Sequence, residues 1–321
     1  MRLRLLYHGH CFDGVASAAV FTRFYRARLR PAAEVEYTPL FHHPGALFDE
    51  GMFDGDENAI VDFKYSPSTR LTWWFDHHQS AFLSPEDEAH FRADRGGRKF
   101  WDPDSKSCTE FIARVAHDEF GFADASLTPL VAWAHTIDGA FYESAAQPVE
   151  LQDPALQLMQ VIENVTEEGF IERIIRALVE RPLDEVATGE EVQSRFRPLL
   201  ARHRDVLETV RRKASYERGA VTFDLVDEGF EGFNKFIPYY VCPETTYSVA
   251  VTRTPTRTKI SVGSNPFSPR PRRHNLASIC ERYGGGGHAV VGAVSFKTDE
   301  VERARAAARE IVAELREGFE G

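Results

Sequence analysis

The sequence lacks any apolar run of about 18 residues, the length that a helix needs to cross a bilayer. It has only four cysteines, Cys11, Cys108, Cys242 and Cys280, and no pair of them has the spacing of a metal finger. A chain of 321 residues does not need a disulfide framework to fold. The N-terminus has neither a long apolar segment nor a small-residue cleavage site, so it is predicted to be a first strand. These absences predict a protein of the reduced cytoplasm that does not bind membranes.

An excess of positive charge is also lacking. The chain has 38 Lys and Arg against 49 Asp and Glu, which gives a formal net charge of −11. This balance argues against a protein that coats long nucleic acids, because their phosphates attract basic surfaces. It is compatible with a small phosphorylated substrate that a few local cations hold.

Strand-like and helix-like segments alternate in the first half of the chain. The patterns predict strands at residues 3–8, 35–39, 59–62 and 71–75, and a helix at residues 14–29. Such alternation favours a parallel or mixed sheet with helices on its faces. The aromatic residues at 73–75 are expected to lie in the core of the last of these strands.

The second half changes character twice. Residues 127–213 are mostly helical in pattern, and the charged stretch 185–213 suits an exposed connecting helix. Strand-like segments then return, with a Gly-rich turn at 284–287 and a charged C-terminal helix from residue 298 to about residue 315. We therefore predict an α/β protein with an N-terminal mixed, mostly parallel sheet flanked by helices (1–185). A helical linker (186–218) joins this domain to a smaller α/β C-terminal domain (219–321).

The tripeptide Asp76-His77-His78 follows directly after the apolar, aromatic run that is predicted to be a buried strand. Open α/β sheets place their chemistry at the carboxyl ends of such strands. On its own the tripeptide is a weak signal, because a chain with 12 histidines places some of them together by chance.

Aspartates recur where other predicted elements end. Asp62 and Asp138 each close an apolar run, where an aspartate is often only a loop or capping residue, and Asp13 is equally suited to cap a helix. Taken together with the tripeptide, they indicate a site for hard divalent cations. Such ions need several carboxylates and imidazoles that converge from different elements. The first predicted loop adds His8 and His10 as further nitrogen donors.

The combined motifs resemble those of the DHH phosphoesterase family, which is named for its Asp-His-His motif. Residues 8–17 resemble the first motif of the family, Asp62 the second, residues 76–78 the third and Asp138 the fourth. Residues 283–288, Tyr-Gly-Gly-Gly-Gly-His, are similar to the Gly-Gly-Gly-His motif of the DHH-associated C-terminal domain. A flexible hinge is the alternative interpretation of these glycines.

The resemblance implies metal-assisted hydrolysis of a phosphate ester with one or two Mn²⁺ or Mg²⁺ ions. It assigns the metal ligands Asp13, Asp62, His77 and Asp138, with Asp62 shared between the ions. Asp76 would orient the neighbouring ligands, and His78 would face the scissile phosphate. For the C-terminal domain it assigns substrate binding to Gly285, Gly286, Gly287 and His288.

Cys11 departs from the family pattern, because many members have an acidic residue at this position. We include His8 and Cys11 among the candidate ligands. A thiolate is unusual for Mn²⁺ or Mg²⁺ and would favour Zn²⁺ or Fe²⁺. If Cys11 is not a ligand, His8 or His10 must support the first metal position. We expect metal at this first position to be weakly bound or absent.

Gly263 is a second departure, since relatives often carry an arginine there that meets the substrate. The basic cluster at residues 270–274 follows shortly after it. Arg272 or Arg273 could supply the missing contact, because guanidinium groups match phosphate oxygens. A solvated loop is the alternative interpretation.

Residues 105–111 resemble the start of the family's helix after the third motif. Ser107 or Thr109 is expected to be the N-cap of that helix. Lys106 could contact a phosphate.

The favoured function is hydrolysis of short oligonucleotides or nucleotide-like phosphoesters, of the nano-RNase or adenosine 3′,5′-bisphosphate phosphatase type. A cyclic-dinucleotide phosphodiesterase and a single-strand exonuclease are the alternatives within the family. A non-catalytic nucleotide-binding protein with a depleted metal site is the alternative from another class. The oligomeric state is open, and a homodimer is one option.

Overall fold

The computed structural model describes residues 1–319. The chain divides into two compact units, the first made of Met1–Tyr142 and Gln152–Phe196, the second of Glu143–Leu151 and the described residues from Arg197 onward. The division falls within the helix Glu190–Lys213, inside the segment predicted to be a linker. The domain limits derived from the sequence stay predictions.

The first 213 residues contain the parallel sheet and most of the helices. In chain order the elements are β1 (Arg2–His8), α1 (Phe12–Arg28), β2 (Glu34–Leu40), β3 (Glu57–Val61), β4 (Trp73–Asp76), α2 (Pro85–Ala93), β5 (Lys99–Trp101), α3 (Cys108–Phe120), α4 (Thr128–Asp138), α5 (Ala146–Glu150), α6 (Pro154–Asn164), α7 (Phe170–Glu180), α8 (Leu183–Thr188) and α9 (Glu190–Lys213). Of these, α5 belongs to the second unit.

The sheet of the first unit has the strand order β2-β1-β3-β4-β5, and every described pairing in it is parallel. From β1 the chain moves outward to β2 and then returns across β1 to β3. The strand order therefore reverses between β1 and β3. Open parallel sheets form a crevice at the carboxyl ends of the strands at such a point. The predicted α/β class with helices around a mostly parallel sheet is confirmed.

The two tryptophans of β4 anchor this strand in the core from opposite faces, as alternation along a strand requires. Trp73 packs edge-on against Phe21 of α1, and its Nε1 donates to a carboxylate on β3. Trp74 packs against Tyr65 on the other face, and its Nε1 donates to the carbonyl oxygen of Phe63 at 2.9 Å. Both are core residues, as predicted, and they fix the position of Asp76 at the end of the strand.

Gly14 allows α1 to begin close to the end of β1. A Cβ at this position would lie 2.2 Å from the carbonyl oxygen of His8, a distance that no side chain tolerates. The residues that follow Gly14 in α1 are small and fully buried against the sheet. The first strand-to-helix connection is therefore short and closely packed.

The second unit contains a mixed sheet with the strand order β10-β11-β9-β8-β7-β6. Its further elements are β6 (Ser215–Glu217), β7 (Ala220–Asp224), α10 (Ile237–Val241), β8 (Tyr247–Arg253), β9 (Thr258–Ser264), α11 (Leu276–Glu281), β10 (Gly286–His288), β11 (Val291–Phe296) and α12 (Val301–Leu315). Only the β7–β8 pairing is parallel among the described pairings of this sheet. Along the described chain, no helix is both long enough and apolar enough to cross a membrane.

Candidate metal centre

Three neighbouring strands present polar side chains at their carboxyl ends. His8 is the last residue of β1, Asp62 directly follows β3, and Asp76 is the last residue of β4. Asp62 has a φ of +57°, in the left-handed region that aspartate tolerates better than most residues. Its backbone N–H donates to the carbonyl oxygen of Phe75 at 2.9 Å, which holds this conformation. Conformations of this kind cluster at functional sites.

Asp13 is 1% exposed and lies in the first turn of α1. The N-cap position of α1 is Cys11, so the alternative that Asp13 caps its own helix is wrong. Its carboxylate instead accepts two hydrogen bonds from the N-terminus of α3, from the amide of Cys108 at 2.6 Å and that of Thr109 at 3.1 Å. The free amides and the dipole of a helix N-terminus stabilise a negative charge. Asp13 is therefore rigidly held.

His77 faces three carboxylates. Its Nε2 lies 3.4 Å from Asp138 Oδ2, 3.5 Å from Asp62 Oδ1 and 3.8 Å from Asp13 Oδ2. Its Nδ1 lies 3.1 Å from the carbonyl oxygen of Ser105, which can only accept a hydrogen bond. In the neutral ring Nδ1 therefore carries the proton, and the Nε2 lone pair points toward the carboxylates. This is the arrangement of a metal-ligating histidine whose orientation a backbone carbonyl fixes.

Several polar atoms in this cluster are buried and have no hydrogen-bond partner within residues 1–319, namely His77 Nε2, Asp62 Oδ1 and Asp76 Oδ2. Orphaned buried polar atoms are costly unless another group satisfies them. Three carboxylates and an imidazole form the oxygen-rich donor set that Mn²⁺ and Mg²⁺ prefer. The residues therefore fit a hard divalent cation at this point.

Without a bound cation, the close packing of these charged groups shifts their pKa values. Burial lowers the pKa of His77, but the surrounding Asp62, Asp13 and Asp138 outweigh burial and raise this pKa to about 10. Burial raises the pKa of Asp62, but the neighbouring rings of His77 and His8 outweigh burial and lower this pKa to about 2. Burial and the charges of neighbouring aspartates raise the pKa of Asp13 well above its usual value.

We expect the metal-free protein to lose stability as the pH rises from about 6.5 toward about 10. The raised pKa of His77 contributes stability that is fully present below its unfolded pKa and is lost as the pH rises through its folded pKa. A divalent cation displaces this proton, so saturating Mg²⁺ should flatten the dependence. Urea unfolding across this pH range, with chelator and with Mg²⁺, measures how the free energy of unfolding changes with pH in each condition. His77→Gln is the control that should flatten the slope without metal, and equal slopes in both wild-type series would contradict the assignment.

Asp76 orients the two histidines that follow it. Its Oδ1 accepts hydrogen bonds from the backbone amides of His77 and His78 at 2.9 and 3.3 Å, and from His78 Nδ1 at 2.7 Å. Trp101 of β5 donates to the carbonyl oxygen of His78 at 2.9 Å, which further fixes this segment. The His78 side chain is 40% exposed, whereas that of His77 is 10% exposed. His78 is thus the more accessible of the two histidines, and its catalytic role stays a prediction.

The structure brings all six predicted metal ligands together in overlapping groups. Their donor atoms lie within 4.8 Å of one another in the sets His8-Cys11-Asp62, Asp62-His77-His78 and Asp13-His77-Asp138. Asp62 is common to the first two sets, as a shared ligand requires. His10 belongs to none of these sets, and its Nδ1 lies 3.2 Å from the carbonyl oxygen of Ile162.

In the Gly-rich motif of the second unit, Gly284 lies in a turn, as predicted, whereas Gly286 to His288 form strand β10, which pairs with β11 across Gly287 and Gly292. Gly287 has a φ of +149°, and a Cβ there would lie 2.2 Å from the carbonyl oxygen of Val291. A Cβ at Gly285 would lie 2.1 Å from the carbonyl oxygen of Ala293. Close backbone packing therefore requires glycine at both positions, and Gly286 to His288 are not a free hinge. Substrate binding by this motif stays a prediction.

The arginines of the basic cluster have contacts within the second unit. Arg273 donates to the carbonyl oxygen of Gly318, and its guanidinium lies 5.0 Å from the centre of the Phe319 ring. Arg272 Nη1 donates to the carbonyl oxygen of His274 at 2.5 Å. At Gly263, a Cβ would lie 2.3 Å from Tyr239 Oη, which explains the glycine by packing. Phosphate binding by Arg272 or Arg273 stays a prediction.

Comparisons with known proteins find relatives in structure only. No protein-family model matches the sequence, and the search of curated proteins found no match. A pGpG-specific phosphodiesterase from Vibrio cholerae matches with a TM-score of 0.68 and 18% identity, over 97% of this chain and 99% of that protein. RecJ from Thermus thermophilus, solved with Mn²⁺, matches with a TM-score of 0.56 and 14% identity over 98% of this chain. This chain spans only 52% of that RecJ.

A third structure carries the family name. It is the DHH domain of a protein described as a member of a family of ribosomal proteins, with a TM-score of 0.59 and 14% identity. The match covers 98% of this chain and 87% of that protein. At such identities the likeness concerns the fold. The chain therefore has the fold of DHH-domain proteins, and the resemblance predicted from its motifs is confirmed at the level of the fold.

Proposed function

We propose that this chain is a metal-dependent phosphoesterase of the DHH type that hydrolyses short oligonucleotides or nucleotide-like phosphoesters. One observation carries the proposal. The carboxylates of Asp13, Asp62 and Asp138 converge to within 3.8 Å of His77 Nε2, at the carboxyl edge of a parallel sheet. These residues would hold Mn²⁺ or Mg²⁺.

The ions, when bound, would neutralise charge on the phosphate and activate the attacking water. The residues of the chain supply the rigidity that this chemistry needs. The α3 amides fix Asp13, the Ser105 carbonyl fixes the ring of His77, and Asp62 belongs to two ligand groups. Asp76 holds His78 through its Nδ1, so the other ring nitrogen is free to meet a phosphate oxygen or the leaving oxygen.

Exposed aromatic rings beside the centre support a substrate that carries a nucleobase. Phe41 is 45% exposed, and a Cβ at Gly9, next to His8, would lie 2.5 Å from its ring. Phe141 is 51% exposed, and its ring likewise fills the space that a Cβ would need at Gly139, next to Asp138. Aromatic faces of this kind stack on nucleobases without selecting a sequence.

Short substrates are favoured over long ones. The Vibrio cholerae relative is described as specific for pGpG, a dinucleotide, and this chain covers 99% of it. The longer RecJ has about half of its length outside the match. We therefore propose a nano-RNase or bisphosphate phosphatase type of activity, with Mn²⁺ as the preferred ion and a cytoplasmic location. A homodimer is one option for its assembly.

We expect the purified chain to release mononucleotides from a dinucleotide such as pApA in the presence of Mn²⁺. Excess chelator should abolish the release, and added Mn²⁺ should restore it, because without the ions nothing neutralises the charge of the phosphate beside the carboxylates. Chromatography of the products measures both effects. Parallel reactions with adenosine 3′,5′-bisphosphate, a cyclic dinucleotide and single-stranded DNA rank the candidate substrates. Absence of hydrolysis across these substrates and several metals would favour a non-catalytic nucleotide-binding protein instead.

A further inference from the structure

The two predicted metal positions differ in the chemistry of their donors. One group combines a ring nitrogen of His8, the sulfur of Cys11 and a carboxylate oxygen of Asp62. The other combines His77 with the carboxylates of Asp13 and Asp138. A set that includes a thiolate favours thiophilic ions such as Zn²⁺ and Fe²⁺, whereas carboxylate-rich sets favour Mn²⁺ and Mg²⁺.

Cys11 is a poor choice for helix structure, which points to another role for its sulfur. It occupies the N-cap position of α1 with an extended backbone (φ −125°, ψ 132°), yet its side chain makes no capping hydrogen bond. Serine, threonine, aspartate or asparagine at this position would stabilise the helix by capping it. An aspartate would also suit a hard cation. Cysteine neither caps the helix nor suits a hard cation, and it places a sulfur beside His8 and Asp62.

Asp62 is the residue that connects this group with the second one. It is 1% exposed, and its Oδ2 lies 3.2 Å from His8 Nδ1. Its Oδ1 is buried and has no hydrogen-bond partner among the described residues. A buried carboxylate can serve both positions here, because its second oxygen, Oδ1, lies 3.5 Å from His77 Nε2.

We propose that this chain has two unlike metal positions. His8, Cys11 and Asp62 bind a thiophilic divalent ion of the Zn²⁺ class, while Asp13, His77, Asp138 and the shared Asp62 bind Mn²⁺ or Mg²⁺. Binding at the first position releases the thiol proton of Cys11 to solvent, because a coordinating thiol is deprotonated. The proposal rests on the proposed function in one respect, the assignment of Mn²⁺ or Mg²⁺ to the second position. The weak metal binding that the sequence predicts for the first position then applies only to hard ions.

Cobalt titration of the metal-free full-length chain tests the sulfur ligand directly. Co²⁺ is a spectroscopic substitute for Zn²⁺, and a thiolate bound to it gives a charge-transfer band in the near ultraviolet. The band should appear with the wild type, disappear with Cys11→Ser and persist with Cys242→Ser. Cys242 is the matched control because it is equally intermediate in exposure but lies in the second unit. Cys11→Ser should also lower the affinity for one Zn²⁺ by about 100-fold or more.

Manganese stoichiometry supplies the converse test. The wild type should bind one Mn²⁺ tightly, whereas Cys11→Asp should bind two and give the electron paramagnetic resonance spectrum of an exchange-coupled pair. Since aspartate also caps helices well, this variant is expected to fold even if Cys11→Ser does not. No charge-transfer band in the wild type, a band that survives Cys11→Ser, or two tight Mn²⁺ ions in the wild type would each overturn the proposal. These readouts do not depend on hydrolysis. If the wild type shows the charge-transfer band but hydrolyses no substrate, the proposed function fails and the proposal of two unlike metal positions stands.

Discussion

Replacing Asp62 by asparagine should lower kcat/KM for dinucleotide hydrolysis about 10³-fold and leave the protein folded. Asp62 belongs to both the His8-Cys11 and the His77-His78 ligand groups, so its loss weakens both metal positions at once. Metal ions supply several kcal/mol of charge stabilisation in such reactions, and a loss of about 4 kcal/mol corresponds to about 10³ in rate. Steady-state kinetics with saturating Mn²⁺ measures the effect.

Asparagine is the appropriate replacement because of the backbone at this position. The φ of +57° is tolerated by asparagine but penalises alanine, which would combine strain with loss of the ligand. Asp118→Asn makes the same chemical change at an exposed carboxylate beside His117 and should leave activity unchanged. If Asp62→Asn kept more than about one tenth of the wild-type activity, Asp62 could not be a shared ligand.

Asp13→Ala should destabilise the metal-free protein by about 3 kcal/mol. The substitution leaves two buried amides, those of Cys108 and Thr109, without their acceptor, and each unsatisfied buried group costs about 1–3 kcal/mol. Relief of repulsion from Asp62 and Asp138 opposes this loss, but His77, which faces all three carboxylates, already offsets part of that repulsion. The missing acceptor therefore dominates. Urea unfolding in excess chelator measures this structural role separately from metal binding.

Asp13→Asn provides the matched comparison. Its side-chain oxygen can still accept from one of the two α3 amides, so the stability loss should be smaller than with alanine. Both variants should lose activity, because neither has a carboxylate for the metal. A change of less than about 0.5 kcal/mol for Asp13→Ala in chelator would be within the range of neutral surface substitutions and would refute the role of Asp13 at α3.

The sequence predicted the strands with strong apolar patterns and missed those without them. The apolar residues of β1 and β4 are buried, so the positions of these strands and their polar final residues could be found from the pattern. β5 is only Lys99–Trp101, too short to show a period, and it forms through its pairing with β4. β10 is rich in glycine, which is depleted in strands, and forms because its backbone packs closely on β11.

The candidate site was predictable as far as it is made of side chains. Ser107 caps α3 as expected, since its Oγ accepts from the amide of Glu110 at 3.0 Å. The Ser105 carbonyl that orients His77 and the two α3 amides that hold Asp13 were not found. Main-chain groups leave no trace in residue identity, so only the folded chain reveals them. The proximity of His8, Cys11 and Asp62 also depends on strand order, which periodicity does not determine.

Anomalous diffraction from crystals grown with Mn²⁺ tests the central claim most directly. The account predicts a strong Mn²⁺ peak about 2 Å from His77 Nε2 and from carboxylate oxygens of Asp13, Asp62 and Asp138. A crystal saturated with Mn²⁺ that shows no peak among these four residues, or an ion bound only elsewhere, would contradict it.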